Sequence, residues 1–209
     1  MKAIIFAGGV IEDYSYIDLK EFENSLVIAA DGGYRHTVNL GITPDIFIGD
    51  NDSWNNDFPV GIDVIKCPTE KDYTDTNRCI DYAIEIGCCE IDIYGGLGGR
   101  LDHEYSNYCL LAYGLKRDVK IRLLDKNNEI WMEDKPFKIK KNDKKYVSFF
   151  PYGGVVEKFS IKGLKYETDN MSLDFCQAQA SSNEFADDDV AEVSFKNGIL
   201  IVMRCNDIG

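Results

Sequence analysis

The sequence contains no Gly-x-x-x-x-Gly-Lys-Ser/Thr, so the ordinary phosphate-binding loop is absent. It contains no Cys-x-x-Cys either. Seven cysteines, Cys67, Cys79, Cys88, Cys89, Cys109, Cys176 and Cys205, form an odd set that signals neither a zinc site nor a disulfide framework. They read as reduced, small core residues. Positive charge is scarce: 23 Lys and Arg stand against 36 Asp and Glu, a net charge of −13. That balance excludes a broad basic field for a nucleic-acid backbone or an anionic membrane, so an anionic ligand would have to be held by a local arrangement. There are only two histidines, and His36, on an expected helix face, reads as a surface residue. No apolar run approaches membrane-spanning length, and Ala3 to Ala7 is too short for a secretory core, so the expected compartment is the cytoplasm.

The 209 residues, 44% hydrophobic and 28% charged, suffice for a sizeable core in one domain or two small ones. Short apolar runs punctuated by glycine and aspartate fill the first part of the chain. Residues 2–7 lead into Gly8-Gly9, and Ser25 to Ala30 into Asp31-Gly32-Gly33. Ile46 to Ile48 leads into Gly49-Asp50, Asp63 to Cys67 into Pro68, and Ile91 to Tyr94 into Gly95-Gly96; Lys120 to Leu124 is a sixth run. Between them, Tyr34 to Leu40 has a helical pattern. Cys79, Ile80, Ala83, Ile84 and Gly87 form an amphipathic stripe capped by Asp72 or Thr74, and a further helix runs from about Asp102 to Tyr113 and stops at Gly114. Strands alternating with helices predict a mostly parallel sheet with flanking helices, whose ligand crevice lies outside the carboxyl ends of the strands.

Near residue 126 the period changes. From 127 to 209 only short strand-like runs occur, with turn residues between them, which predicts an all-β sandwich; Asn197-Gly198 signals a hairpin joining the last two strands. The expected fold is therefore α/β over 1–126 followed by an antiparallel β-sandwich over 127–209.

The focal stretch is Ile48-Gly49-Asp50-Asn51-Asp52-Ser53. In an extended backbone Asp50 and Asp52 point the same way, and two like charges about 5 Å apart repel by roughly 3 kcal/mol at an effective dielectric near 20. Either solvent or a hard divalent cation offsets that repulsion. Three more loops of similar kind follow strands: Asp31-Gly32-Gly33, Asp72-Tyr73-Thr74-Asp75, and Gly98-Gly99-Arg100-Leu101-Asp102-His103. Glycines admit a phosphate close to backbone amides, and Arg100 brings a permanent forked cation to the start of a helix. Asp31 and Asp102 could equally cap the helices they precede.

Taken together these segments resemble the thiamine pyrophosphokinase family. Ala30-Asp31-Gly32-Gly33, Pro44-Asp45 leading to Gly49-Asp50-Asn51-Asp52-Ser53, Lys71-Asp72-Tyr73-Thr74-Asp75, and Gly98 to His103 with Asn107 occur in the family's order over roughly the first 115 residues. Gly163-Leu164-Lys165-Tyr166 and Ser182-Asn183-Glu184 resemble its thiamine-side segments. Asn51, Tyr166 and Ala180 depart from the family's common residues, although Tyr166 still offers an aromatic face to a cationic ring.

The resemblance implies transfer of a pyrophosphoryl group from ATP to the hydroxyl of thiamine, giving thiamine diphosphate and AMP, in a homodimer. It implies magnesium on Asp50, Asp52 and Asp75, and nucleotide contacts from Asp31, Gly32, Gly33, Lys71, Gly98, Gly99, Arg100 and His103. Asp72, Asp75, Arg100 and Asp102 are the implied catalytic residues; Asp102, Tyr166, Ser182 and Asn183 are the implied thiamine contacts. His103 also reads as a hydrogen-bonded structural residue, and Tyr166 as sandwich packing. Two rival readings are a metal-dependent sugar-nucleotide transferase, from Asp50-Asn51-Asp52, and a non-catalytic nucleotide or thiamine sensor. The first leaves Gly98 to His103 and the all-β half unexplained. The second leaves the full set of acidic loops without a role.

Overall fold

In the computed structural model, which describes residues 1–50, 61–66 and 73–207, the apolar runs at Lys2–Phe6, Ser25–Ala30, Ile46–Gly49 and Glu90–Tyr94 become largely buried strands, as a parallel sheet covered on two sides requires, whereas the run at Asp63–Lys66 becomes an exposed edge strand. The chain divides into two compact units, Met1–Lys126 and Asn127–Gly209.

The first unit contains strands β1 (Lys2–Phe6), β2 (Ser25–Ala30), β3 (Ile46–Gly49), β4 (Asp63–Lys66), β5 (Glu90–Tyr94) and β6 (Lys120–Leu124). They are parallel and lie in the order β6-β5-β1-β2-β3-β4. The connections therefore run one way from β1 to β4 and the other way from β5 to β6. Between β1 and β5 the direction reverses, and such a point opens a crevice at the carboxyl edge.

Helix α1 (Tyr34–Leu40) follows β2 through a 3-10 turn, α2 (Asp75–Glu85) precedes β5, and α3 (Leu101–Leu115) links β5 to β6. Cys79, Ile80 and Ala83 form the buried stripe of α2, which packs on β1, β2 and β3. Ile4, Phe6, Val27 and Tyr94 pack together with Ile17, Phe22 and Leu40. Helix α3 does not stop at Gly114 but continues to Leu115. Gly114 is buried there because α3 lies so close to β6 that a β-carbon would sit 2.5 Å from Ile121 Cδ1 and 2.9 Å from the Val119 carbonyl. The glycine marks close packing, not a helix end. Helices α2 and α3 are also tied to each other: the Tyr113 hydroxyl donates to the Asp81 carboxylate, Asn77 Nδ2 donates to the same group at 3.3 Å, and the Arg117 guanidinium lies 3.5 Å above the Tyr113 ring.

Among the described residues of these six strands, one buried side chain is charged. Asp92, in the centre of β5 and 1% exposed, takes Arg122 of β6 in a two-pronged pair at 2.6 and 2.7 Å and Lys2 of β1 at 2.8 Å. Register places Arg122 directly opposite it. The carboxylate thus ties β5 to both neighbours at the reversal point.

The second unit is a sandwich of two four-stranded layers. Strands β7 (Asn128–Glu133), β9 (Tyr146–Pro151), β12 (Ala180–Glu184) and β14 (Leu200–Cys205) lie in the order β12-β9-β14-β7, and β8 (Phe137–Lys140), β10 (Val156–Lys162), β11 (Thr168–Leu173) and β13 (Val190–Ser194) in the order β11-β10-β13-β8. Trp131, Val147, Phe149 and Val202 of one layer meet Ile139, Phe159, Ile161 and Val193 of the other in one core. The hairpin expected at Asn197-Gly198 does not form, because β13 and β14 belong to different layers. The Glu157 N–H donates to the Asn197 carbonyl at 3.1 Å, and the Lys196 N–H donates back to Glu157 at 2.9 Å. The segment therefore pairs with β10 before crossing to the other layer. Strand β12, Ala-Ser-Ser-Asn-Glu, carries no apolar alternation and is absent from the sequence expectations.

The Asp92 pair generates the first prediction. Removing one partner of a buried ion pair costs about 3–5 kcal/mol, and partial exposure of Arg122 and Lys2 points to the low end. Asp92→Asn is expected to lower unfolding free energy by about 3 kcal/mol in urea titration; a loss under about 1 kcal/mol would class the pair with surface ion pairs.

Candidate active site

A crevice of about 600 Å³ opens at the carboxyl edge of the first unit, lined by the segments that follow β1, β2 and β5 and by the starts of α2 and α3. Its geometry follows from the strand order. The Ala7 N–H donates to the Tyr94 carbonyl at 2.8 Å and the Gly9 N–H to the Gly95 carbonyl at 2.9 Å, so the ends of β1 and β5 stay zipped just past the sheet. A side chain at Gly9 would run into the Gly95 carbonyl.

Two helices point their starts at this space. Thr74 caps α2, its Oγ accepting the Asn77 N–H at 3.2 Å. Asp75 begins the helix, where a carboxylate suits the positive end of the dipole. Helix α3 is entered from Arg100, whose backbone is extended. Gly98 and Gly99 precede it with φ of 74° and 97°, left-handed values that glycine adopts without strain, and nothing crowds the space where their side chains would be. The loop is open on that side, and the positive ends of two helices face the same cavity, an arrangement that favours anions.

Asp31 follows β2 with φ of 43°, begins the 3-10 turn Asp31–Gly33, and lines the crevice. It is not the N-cap of that turn, a place Ala30 takes without a side-chain bond. Ala30 lies opposite Ile48 in register, and a β-carbon at Gly49 would stand 3.0 Å from Asp31 Cα, so Asp50 begins one residue beyond that contact. Asp31, Asp50 and Asp75 offer carboxylate oxygen, the donor chemistry a hard divalent ion takes. Among the described residues no three such side chains close into a complete metal site. Asp52, Lys71 and Asp72 lie outside the described residues.

Arg100 and Asp102 form an exposed pair, Nε to Oδ1 at 3.1 Å and Nη2 to Oδ2 at 2.6 Å. Hydrogen bonding from Arg100, then from the His103 N–H at 2.9 Å, holds the Asp102 carboxyl below its ordinary range despite some opposing desolvation. Asp102 lies inside the first turn of α3 and makes these bonds instead of an N-cap. The His103 ring is exposed and borders the crevice. Glu104 Oε2 accepts the Gly98 N–H at 3.2 Å, and Asn107 donates to the Gly96 carbonyl at 2.7 Å, so the glycine loop is braced from α3.

His36 differs from its sequence reading: it is 1% exposed. Its Nε2 lies 2.8 Å from the Gly9 carbonyl and its Nδ1 2.7 Å from the Tyr14 hydroxyl, which accepts from Asn39 at 2.9 Å. A carbonyl can only accept, so Nε2 carries the proton and Nδ1 accepts from Tyr14. Arg35, beside it, donates to the Gly8 carbonyl and, at 2.9 Å, to that of Gly9. The loop Gly8-Gly9-Val10 and Arg35 are lining residues that sequence reasoning missed; the signal for the loop was a glycine pair closing an unbroken apolar strand.

In the second unit, Tyr166 is 61% exposed, with Lys165 Nζ 5.5 Å from its ring centre. Its backbone is clipped by buried Asn183, which accepts from Tyr166 N–H at 3.0 Å and donates to its carbonyl at 2.8 Å. The Asn183 amide thus holds Tyr166 in place. Ser182 has φ of 56°, and its N–H donates to Ser148 Oγ at 2.9 Å, at an irregularity in the pairing of β12 with β9.

Comparison with known proteins assigns both halves. Residues 20–123 match the family described as "Thiamin pyrophosphokinase, catalytic domain", and residues 136–200 match "Thiamin pyrophosphokinase, vitamin B1 binding domain". The chain is 35% identical to the thiamine pyrophosphokinase of Bacillus subtilis (strain 168), covering 99% of this chain and 100% of that one. It superposes on the crystal structure of the B. subtilis thiamine pyrophosphokinase with a TM-score of 0.88 at 33% identity over 100% of each chain. On that from Geobacillus thermodenitrificans the TM-score is 0.84 at 26% identity, over 100% of this chain and 99% of the other. None of these matches favours the sugar-nucleotide transferase or the sensor.

Burial lowers the His36 pKa, the Gly9 hydrogen bond opposes the shift, and the neighbouring Arg35 charge adds to it. The folded state therefore prefers the neutral ring, and this stabilisation is complete above the unfolded value near 6.5 and lost as pH falls below it. Unfolding free energy is expected to decline from pH 7 to 5 with a slope that His36→Gln reduces, by at most about 1.4 kcal/mol per pH unit. Identical slopes in parent and variant would overturn the assignment.

Proposed function

The chain belongs to the thiamin pyrophosphokinase family, and from that premise we propose how its residues carry out the reaction. It is a thiamine diphosphotransferase. The donor in this reading is ATP. The observation that carries it is the convergence of Asp31, Asp75 and the Gly98-Gly99-Arg100 loop on one crevice that two helix starts face.

The thiamine hydroxyl oxygen attacks the β-phosphorus. A new O–P bond forms as the bond from that phosphorus to the oxygen shared with the α-phosphate breaks, AMP leaves with the electron pair, and the hydroxyl proton passes to a base. Such transfers depend on in-line positioning and on neutralising charge on the phosphate oxygens. In this reading Gly98 and Gly99 admit the phosphates closely, while Asp31, Gly32, Gly33, Lys71 and His103 border the nucleotide. Arg100, with Lys71, faces the polyphosphate. Magnesium would be held by Asp50, Asp52 and Asp75 with Asp72 nearby, and when bound it supplies positive charge to the phosphate oxygens.

Asp102 accepts a hydrogen bond from the hydroxyl and orients it. A carboxylate held ionised by Arg100 is a weak base near neutrality but a good acceptor, so its contribution is aim more than proton removal. Tyr166 would stack on the cationic ring of thiamine, with Ser182 beside it and Asn183 fixing the Tyr166 backbone. The enzyme would act as a homodimer in the cytoplasm, without nucleic-acid or membrane partners, in keeping with a net charge of −13.

Incubation with magnesium, ATP and thiamine is expected to yield AMP in step with thiamine diphosphate. ADP as the sole nucleotide product, or AMP formation indifferent to thiamine, would reject the reading. Asp50→Asn is expected to lose roughly 10²-fold or more in turnover while remaining folded; an unchanged rate at saturating magnesium would remove Asp50 from the metal set. Tyr166→Ala is expected to raise the thiamine KM about tenfold with little change in that for ATP, and equal changes in both would assign Tyr166 to packing.

A further inference from the structure

We infer that Arg35 is a second polyphosphate-binding cation of the crevice, and that His36 is the positioning residue that keeps Arg35 and the Gly8-Gly9 turn in place. This rests on the crevice being the ATP site. Neither residue belongs to the acidic and glycine-arginine loops that carry the family resemblance.

The first argument is charge. Asp31, Asp75 and Glu104 line the crevice together with Arg35 and Arg100. Arg100 has its guanidinium on Asp102. Arg35 is exposed at the crevice wall and its bonds go to two carbonyl oxygens, which do not neutralise it. Among the described residues no carboxylate pairs with it, in a chain of net charge −13. Both bonds come from Nη2, which leaves Nε and Nη1 to face a ligand, and a guanidinium fork matches phosphate oxygens.

The second argument is placement. Arg35 sits in the first turn of α1, where the helix dipole disfavours a cation, so local helix stability does not explain it. Its side chain instead reaches back across the crevice edge to the end of β1. There Arg35 covers the carbonyls of Gly8 and Gly9, and His36 covers that of Gly9 from the buried side. Uncovered carbonyl oxygens beside a polyphosphate would repel it; these are all engaged by donors. The Tyr14 hydroxyl on Nδ1 fixes the His36 tautomer that donates, and Asn39 fixes Tyr14. The Gly9 N–H is engaged as well, by Gly95. The Gly9 backbone is therefore bonded through both its N–H and its carbonyl, and Arg35 is anchored to the turn through the Gly8 and Gly9 carbonyls.

The test uses the full chain with magnesium. Arg35→Gln is expected to raise the ATP KM roughly 10- to 100-fold, the loss of a charge-assisted contact, with the thiamine KM within about twofold of the parent. Arg35→Lys is expected to recover part of that loss, since it restores a charge without the fork. His36→Gln is expected to raise the ATP KM less than Arg35→Gln, again without moving that for thiamine. An ATP KM within twofold of the parent in Arg35→Gln, or an equal rise for thiamine, overturns the inference. Calorimetric titration of ATP in the absence of thiamine measures the same contact independently of turnover: weaker binding and a shallower salt dependence in Arg35→Gln support it. If the parent binds ATP but forms no thiamine diphosphate, the functional reading fails while the titration still decides on Arg35.

Discussion

Strand β1 is held between two parallel neighbours, β2 and β5, and both pairings run in register along its whole length. Everything at the crevice depends on this clamp. It sets the ends of three strands side by side, so that the Gly8-Gly9 turn, Asp31 and the Gly95 to Arg100 loop emerge together though they are far apart in sequence. Asp92, reaching Arg122 on one side and Lys2 on the other, reinforces the clamp within the sheet. A buried carboxylate is an expensive way to join strands, but it fits only one register, and a parallel sheet of otherwise interchangeable apolar residues gains an alignment mark.

The electrostatics of the crevice follow from a chain with few positive charges. Backbone supplies what side chains do not: two helix starts and an open glycine loop give partial positive charge without lysine or arginine. The two arginines at the wall differ in commitment, Arg100 to a carboxylate and Arg35 to carbonyls. Acidic side chains in the same space offer carboxylate oxygen, the donor chemistry of a hard divalent ion.

Much of this was legible in the sequence because parallel strands buried on both faces leave continuous apolar runs, and the glycine-aspartate stops marked their ends. The acidic loops could be read for the same reason. His36 could not, since its burial depends on Tyr14 and the Gly9 carbonyl, contacts distant in sequence. Asn197-Gly198 has hairpin chemistry, but Glu157 competes for its backbone and the flanking strands serve different layers. Strand β12 is polar, and its polar side and main chain are used in contacts, Ser182 N–H to Ser148 and the Asn183 amide to Tyr166, that no local apolar pattern announces. Gly114 looked like a helix end, and only the distance to Ile121 distinguishes a stop from a close contact.

The link from Tyr113 to Asp81 joins helices whose opposite ends border the crevice. Tyr113 lies near the far end of α3 and Asp81 in the second half of α2, so the crossbar stands away from the ligand space. One side-chain bond remote from the ligand thus helps set the separation at which two positive helix ends are presented. The glycine loop between β5 and α3 is held to the same frame, through Glu104 and Asn107.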